Sequence, residues 1–292
     1  MKRKRVVRSK KSVVKKKIVK KKKQVVKKKS VKVKPVKKNV FKKKVVKSFV
    51  SKKKVKNNDL VRISTGIKNL DAITEKGFKS NSINLVIGGS GAGKSILSMQ
   101  FLIEGLKNDE HCMYISFEEE KKNFFSNMKK IGWDLYDLEK KGKFTFLNYS
   151  PKKVQTMLEE GGGIIESLVL RKKITRIVID SINSFLLLFE EEVKQREFIL
   201  MLFNLLKGWN CATIITYEDD PVNKHLSSSK ILEFEVDSTI LLYFLREKSE
   251  RKRYLEVLKM RGTNHSRKVH PFTIGKNGID LSKRTFSGKL KL

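Results

Sequence analysis

The sequence predicts an α/β fold: a mainly parallel sheet flanked by helices, with antiparallel strands added at the C-terminal edge. Three observations predict it. Between about residues 60 and 217, short apolar runs of strand type alternate with helix-forming segments, the pattern of parallel strands joined by crossover helices. Short strands then follow closely at about 236–245, 252–260 and 271–275, which is hairpin spacing. Finally, the 236 residues that follow a leader of distinct composition suit one domain.

That leader, residues 1–56, holds 29 Lys or Arg and no Asp or Glu, leaving 38 basic against 30 acidic side chains in 57–292. Most of the net +37 therefore lies in the first fifth of the chain. The segment cycles through Lys and Val, as in Val13-Val14-Lys15-Lys16-Lys17-Ile18-Val19-Lys20. Like charges at that density repel, and too little apolar surface is available to offset chain entropy, so a disordered basic tail is expected. It lacks the continuous apolar stretch of a signal peptide, and its Arg and Ser content is low for an organelle transit peptide. A polycation of this kind suits sequence-independent, salt-sensitive contact with nucleic acid. An anionic membrane surface or a plain solubilising role suits it too, and composition leaves these open. Phe41 and Phe49 are its only aromatics, so base stacking is not its main mode.

In the domain, Leu60-Val61-Arg62-Ile63 reads as an edge strand, and Thr65–Ile73 as a turn and short helix. The apolar run Ile83-Asn84-Leu85-Val86-Ile87 is a buried strand, and a helix follows from Lys94 to about Lys107. Between them stands Gly88-Gly89-Ser90-Gly91-Ala92-Gly93-Lys94-Ser95, which reads G-x-x-x-x-G-K-S. A strand, a glycine turn and a helix in that order make a phosphate-binding loop. Glycines let successive backbone N–H groups converge on phosphate oxygens, and the helix N-terminus adds partial positive charge. Lys94 is expected to reach the β- and γ-phosphates and the Ser95 hydroxyl to hold Mg²⁺.

Cys112–Phe117 is the next strand, ending in Glu118-Glu119-Glu120, and a helix is expected over about 121–131, closing on Gly132-Trp133. Phe144–Leu147 reads as a strand, and Pro151 precedes a helix that Gly161-Gly162-Gly163 breaks or bends. Arg176-Ile177-Val178-Ile179-Asp180 is a buried strand ending in a carboxylate, residues 192–207 a helix, and Ala212–Tyr217 another buried strand. A polar loop is expected from Glu218 to Lys230, before the hairpins.

Some 85 residues after the phosphate loop, Asp180 fits the second half of a nucleotide triphosphatase site, a carboxylate beside Mg²⁺ opposite Ser95. Glu118 and Glu119 end a different strand. If that strand is parallel to the first, one carboxylate faces the γ-phosphate and positions a water for in-line attack, with Glu119 the better placed. The alternative is a solvated acidic turn, since Glu120 and Lys121 continue the polar run. Lys259 and Arg261, with one residue between them in a strand, point the same way. Gly262 then turns the chain, and Thr263 and His265 follow. Such a cationic group suits charge developing on a transferred phosphoryl; by composition alone it is a basic surface hairpin.

Five features in order resemble the KaiC-like branch of the RecA-type ATPases: Thr65-Gly66-Ile67-Lys68-Asn69-Leu70-Asp71, the phosphate loop, Phe117-Glu118-Glu119, Ile179-Asp180-Ser181, and Lys259-Met260-Arg261-Gly262-Thr263 with His265. The loop alone is generic; the double Glu and the K-x-R-G-T-x-H segment are far more particular. The resemblance covers about Leu60 to Leu281. It implies a RecA-like core assembling into a hexameric ring with ATP and Mg²⁺ between subunits. One copy then supplies Gly88 to Lys94, Ser95, Ile96, Asp180 and Glu119. Its neighbour supplies Lys259, Met260, Arg261, Thr263 and His265, and Lys130 is implied near the nucleotide base. The chain has length for one such domain, where clock proteins carry two. The family's self-phosphorylating domain has a Ser-Thr pair four and three residues before an Asp. Glu233 and Phe234 stand there before Asp237, so hydrolysis is expected rather than autokinase activity. Two other classes remain: a nucleotide-gated DNA-binding protein of recombinase type, and a non-hydrolysing nucleotide sensor of the archaellum type. The protein partner is unspecified.

Cys112 and Cys211 each sit by an apolar run without a C-x-x-C partner, which argues for buried, reduced thiols in a cytoplasmic protein and against a zinc site. No stretch of about 18 apolar residues exists, so no membrane-spanning helix is expected.

Overall fold

Nine strands pair into one sheet in a computed structural model of the chain, which describes residues 61–159, 163–222 and 227–286. The basic leader, Leu60, Gly161, Gly162 and residues 223–226 of the expected polar loop lie outside the described residues.

The centre of the sheet is β3 (Ile83–Gly88), which follows β1 (Arg62–Ile63), α1 (Lys68–Ile73) and β2 (Phe78–Lys79). After α2 (Lys94–Lys107) come β4 (His111–Ser116), α3 (Lys121–Lys130), α4 (Leu135–Lys140) and β5 (Phe144–Asn148). The helices α5 (Pro151–Glu159) and α6 (Gly163–Lys172) lead to β6 (Ile174–Asp180). Then follow α7 (Asn183–Leu186), α8 (Glu192–Gly208), β7 (Ala212–Glu218) and α9 (Ser227–Glu235). The chain finishes with β8 (Ser238–Glu247), β9 (Glu250–Met260), β10 (His270–Gly275) and β11 (Gly278–Leu281).

The strand order is β11-β10-β9-β8-β3-β7-β6-β4-β5. Every pairing from β8 to β5 is parallel, and β8–β9, β9–β10 and β10–β11 are antiparallel. The expected class and its antiparallel C-terminal edge are therefore what the chain adopts. A parallel sheet is buried on both faces, and alternate residues of each strand serve opposite cores. Val86, Tyr114, Val178 and Ile214 pack with Leu97, Phe101 and Leu102 of α2. On the other face Leu85, Ile87, Met113, Ile177 and Ile215 meet Leu202, Phe203 and Leu206 of α8.

Several elements differ from expectation. β1 does not edge the main sheet but pairs antiparallel with β2, and the Arg62 guanidinium donates to the Gly77 carbonyl at 3.1 Å just before β2. Helix α4 was not expected; Asp134 caps it by accepting from the backbone N–H groups of Tyr136 and Asp137. Residues 227–235 of the supposed loop and strand approach form α9. Strand β11 is added by a turn in which Asn277 and Gly278 take φ of 80° and 101°, a conformation that Asn and Gly tolerate. In the Thr65–Asp71 segment, Asp71 accepts from both the Thr65 N–H (2.8 Å) and its hydroxyl (2.6 Å), closing the turn before α1.

Candidate functional site

The parallel strands end together, and ligands of such sheets bind beyond those carboxyl ends. There β3 gives way to the glycine loop and α2. Gly93 adopts φ of 108° as the N-cap of α2, a left-handed conformation that glycine takes without penalty. Gly88 is required by space, since a Cβ there would lie 2.8 Å from the Leu242 carbonyl oxygen of β8. Ala92 is buried and donates its N–H to the Gly89 carbonyl at 3.2 Å, tightening the loop. The first-turn N–H groups of α2 have no side-chain cap, and such groups with the helix dipole favour an anion.

A cavity of 370 Å³ lies over this loop, lined among others by Lys94, Ser95, Ile96, Glu118, Glu119 and Asp180. Lys94 is buried and donates from Nζ to the carbonyl oxygens of Gly88 (2.8 Å) and Gly89 (3.1 Å) and to Glu218 Oε2 (3.2 Å). Ser95 Oγ donates to Asp180 Oδ2 at 2.6 Å, joining the loop to the end of β6. Tyr114 also donates to Asp180 Oδ2 and Thr216 to Oδ1. Burial, then the neighbouring Asp180 charge, lifts the Tyr114 phenol well above its usual range, so it acts as a neutral donor.

The two glutamates differ in their surroundings. Glu118 Oε1 accepts from Ser181 Oγ (2.8 Å) and Ser184 Oγ (2.6 Å), which fastens it to the segment after β6. Glu119 Oε1 accepts from Asn127 Nδ2 at 3.0 Å, and the Ser116 hydroxyl takes up its backbone N–H at 2.9 Å. Burial raises the Glu119 carboxyl above its ordinary 4.5; the Asn127 amide opposes this and the Asp180 charge adds to it.

The remaining expected residues lie apart from this cavity. Lys130 is exposed at the last turn of α3. Lys259 donates to the Glu233 carbonyl and Arg261 to the Phe234 carbonyl, both at the end of α9. Met260 is buried, Thr263 Oγ1 accepts from Arg62 at 2.8 Å, and His265 Nδ1 lies 2.9 Å from the Ser266 carbonyl.

Sequence reasoning missed other lining residues. Glu218 ends the apolar strand β7 in a carboxylate, the same signal that singled out Asp180. Arg253 also lines the cavity; its Nε donates to the Gly91 carbonyl at 3.0 Å, and its guanidinium lies 4.3 Å from the Phe244 ring centre. Arg251 and Arg253 recur at the two-residue period of a strand, a signal available in the sequence. Tyr114, which also lines the cavity, and Thr216 and Asn127, which donate to Asp180 and Glu119, carry no motif at all.

The chain is similar in sequence and fold to known proteins. The family profile described as "ATPase: KaiC" matches residues 63–285. The circadian clock protein KaiC3 of Synechocystis is 29% identical over 232 residues, 77% of this chain and 46% of that protein. The UPF0273 protein of Thermotoga maritima is 32% identical over 231 residues, 75% of this chain and 94% of its own length. The crystal structure of a KaiC-like protein from the hyperthermophilic archaeon Pyrococcus horikoshii superposes with a TM-score of 0.68 at 34% identity, covering 76% of this chain and 99% of that one. The chain thus spans about half the length of the clock relatives and nearly all of the shorter ones.

Proposed function

The chain belongs to the KaiC-like ATPase family, and from that premise we propose that it binds Mg-ATP and hydrolyses it at the interfaces of a ring of identical copies. The observation that carries this reading is the convergence of Lys94, Ser95, Asp180, Glu118 and Glu119 on one cavity above the loop.

The Ser95 hydroxyl and Asp180 carboxylate, 2.6 Å apart, are hard oxygen donors. Mg²⁺ takes one or two such protein ligands and leaves the rest of its shell to phosphate and water, so the pair fits it. When bound, the ion would supply charge that neutralises phosphate oxygens. Backbone N–H groups of residues 89–96 cradle the phosphates, and Lys94 binds the β- and γ-oxygens. Glu119 accepts the proton of the attacking water, a role its raised pKa suits. Glu118, fastened by Ser181 and Ser184, holds the segment after Asp180 in place.

Lys259 and Arg261 line no part of their own chain's cavity, so a neighbouring copy presents them to the phosphoryl group as it leaves. Met260, Thr263 and His265 follow on that neighbour's hairpin, and Lys130 lies toward the base. Glu233 and Phe234 offer no hydroxyl, so water takes the phosphoryl group. In the full chain, Glu119→Gln retains nucleotide binding while phosphate release falls by about 10²–10⁴-fold, the range of a general base. Turnover equal to wild type would remove Glu119 from this role.

Residues 1–56 favour a second property beside hydrolysis. With 29 basic and no acidic side chains, the segment binds nucleic acid through phosphates and releases counterions. Affinity for duplex DNA of any sequence then falls steeply between low and physiological salt; a salt-independent affinity rules this out.

A further inference from the structure

The Lys94 ammonium has three protons, and three acceptors take them. Two are the loop carbonyls of Gly88 and Gly89, at 2.8 and 3.1 Å, which belong to the backbone. The third is the Glu218 carboxylate at 3.2 Å. A carboxylate bonded to this ammonium stands where a phosphate oxygen would bind, and like charges this close cost free energy.

The geometry decides which acceptor yields. The carbonyls are held by the loop itself. The Glu218 backbone is held as well: its N–H donates to Asn183 Oδ1 at 2.6 Å, and its carbonyl accepts from Asn183 Nδ2 at 2.8 Å. Its side chain, by contrast, is half exposed, 52% against 8% for Lys94, and among the described residues Lys94 is its one ion-pair partner. The carboxylate can therefore swing into solvent about a fixed backbone.

From this arrangement we propose that Glu218 is an internal competitor for the phosphate bound at Lys94. This rests on the nucleotide reading of the same cavity. The carboxylate and a phosphate oxygen are alternatives at one N–H of Lys94, so binding of a nucleotide requires exchange of one anion for the other. The exchange lowers apparent affinity by the fraction of molecules in which Lys94 is free. It also makes affinity depend on phosphate number, since only a phosphate long enough to reach Lys94 meets the competitor. Glu218 is thus a positioning residue that sets the threshold for di- and triphosphates. The displaced side chain leaves from the backbone that Asn183 clasps, directly after the strand carrying Asp180.

Calorimetric titration of the full chain with ADP and with AMP, without divalent cation, tests this in wild type, Glu218→Gln and Glu218→Ala. Both variants bind ADP about tenfold more tightly than wild type, because the competing charge is gone. AMP affinity stays at the wild-type value, an outcome that a merely structural role for Glu218 does not give. ADP affinity equal to or weaker than wild type in a folded variant overturns the proposal while leaving the nucleotide site intact. A wild-type chain that binds no ADP instead removes the nucleotide reading itself, and the competitor with it. Should Glu218→Gln not fold, Glu218→Ala gives the same comparison.

Discussion

Arg176 shows how much one side chain can organise away from the chemistry. It sits mid-sheet on β6 at 2% exposure, where an unpaired charge would be costly. Its guanidinium donates Nε to Glu110 Oε2 (2.9 Å) and a terminal nitrogen to Oε1 (2.6 Å). The other terminal nitrogen serves the carbonyls of Ser64 (2.7 Å) and Phe101 (2.9 Å). Burial would raise the Glu110 carboxyl, but the bonds from Arg176 and Thr175 outweigh it and hold the group below its ordinary value. The guanidinium needs room, and Gly105 in α2 provides it: a Cβ at that position would stand 2.5 Å from Arg176 Nε and 3.0 Å from Cys112 Sγ. In an exposed helix Gly→Ala stabilises by about 1 kcal/mol. Here the sign reverses. Gly105→Ala destabilises by about 1–3 kcal/mol, the cost of overpacking a close-packed interior, and lowers Tm by several degrees. Gly208→Ala, with nothing within 4 Å of the added carbon, is the control, and its Tm stays level or rises. Equal melting of the two variants would refute the steric account.

At the scale of elements, what was legible in the sequence is what local chemistry dictates. The strand, loop and helix from Ile83 to Lys107 were readable because apolar run, glycines and helix formers each permit one structure, and they agree. Asp180 was readable because a carboxylate ending a buried strand is conspicuous. Helix α9 was not, since Ser227-Ser228-Ser229-Lys230 has turn composition and the buried apolar position that pins the helix, Leu232, comes late. Helix α4 hid in six residues, too short for its period to show, although Asp134 at its cap was a usable sign. Strand β11 follows Asn277-Gly278, a hairpin turn signal in the sequence. In the site, Tyr114 and Thr216 were illegible for a different reason. They reach Asp180 from two other strands, and only the order β7-β6-β4 brings those strands to either side of β6. Pairing order is a tertiary property with no local residue signal. Gln100 makes the same point: it donates to the Gly66 and Ile279 carbonyls and accepts from the Ile279 N–H, stitching three distant segments through one helix position.

On the scale of the whole molecule, the proposed shared site divides into a part each chain completes and a part it does not. Lys94, Ser95, Glu119 and Asp180 meet within one chain. Lys259 and Arg261 are held by the last carbonyls of α9, beside Phe234 at 74% exposure and Leu258 at 46%. An exposed aromatic with an Arg beside it suits an interface, where aromatic residues and Arg are enriched. A ring in which each neighbour lends this hairpin makes a prediction no monomeric enzyme makes. Glu119→Gln is inactive for want of its own carboxylate, and Arg261→Ala for want of the cation it lends. When the two are co-expressed and mixed at random, about a quarter of the interfaces join an intact Glu119 on one side to an intact Arg261 on the other. Phosphate release therefore returns to about a quarter of the wild-type rate per site, although each variant alone is silent. A mixture as silent as its components, or an Arg261→Ala protein active by itself, would place the whole site within one chain and end the case for a shared one.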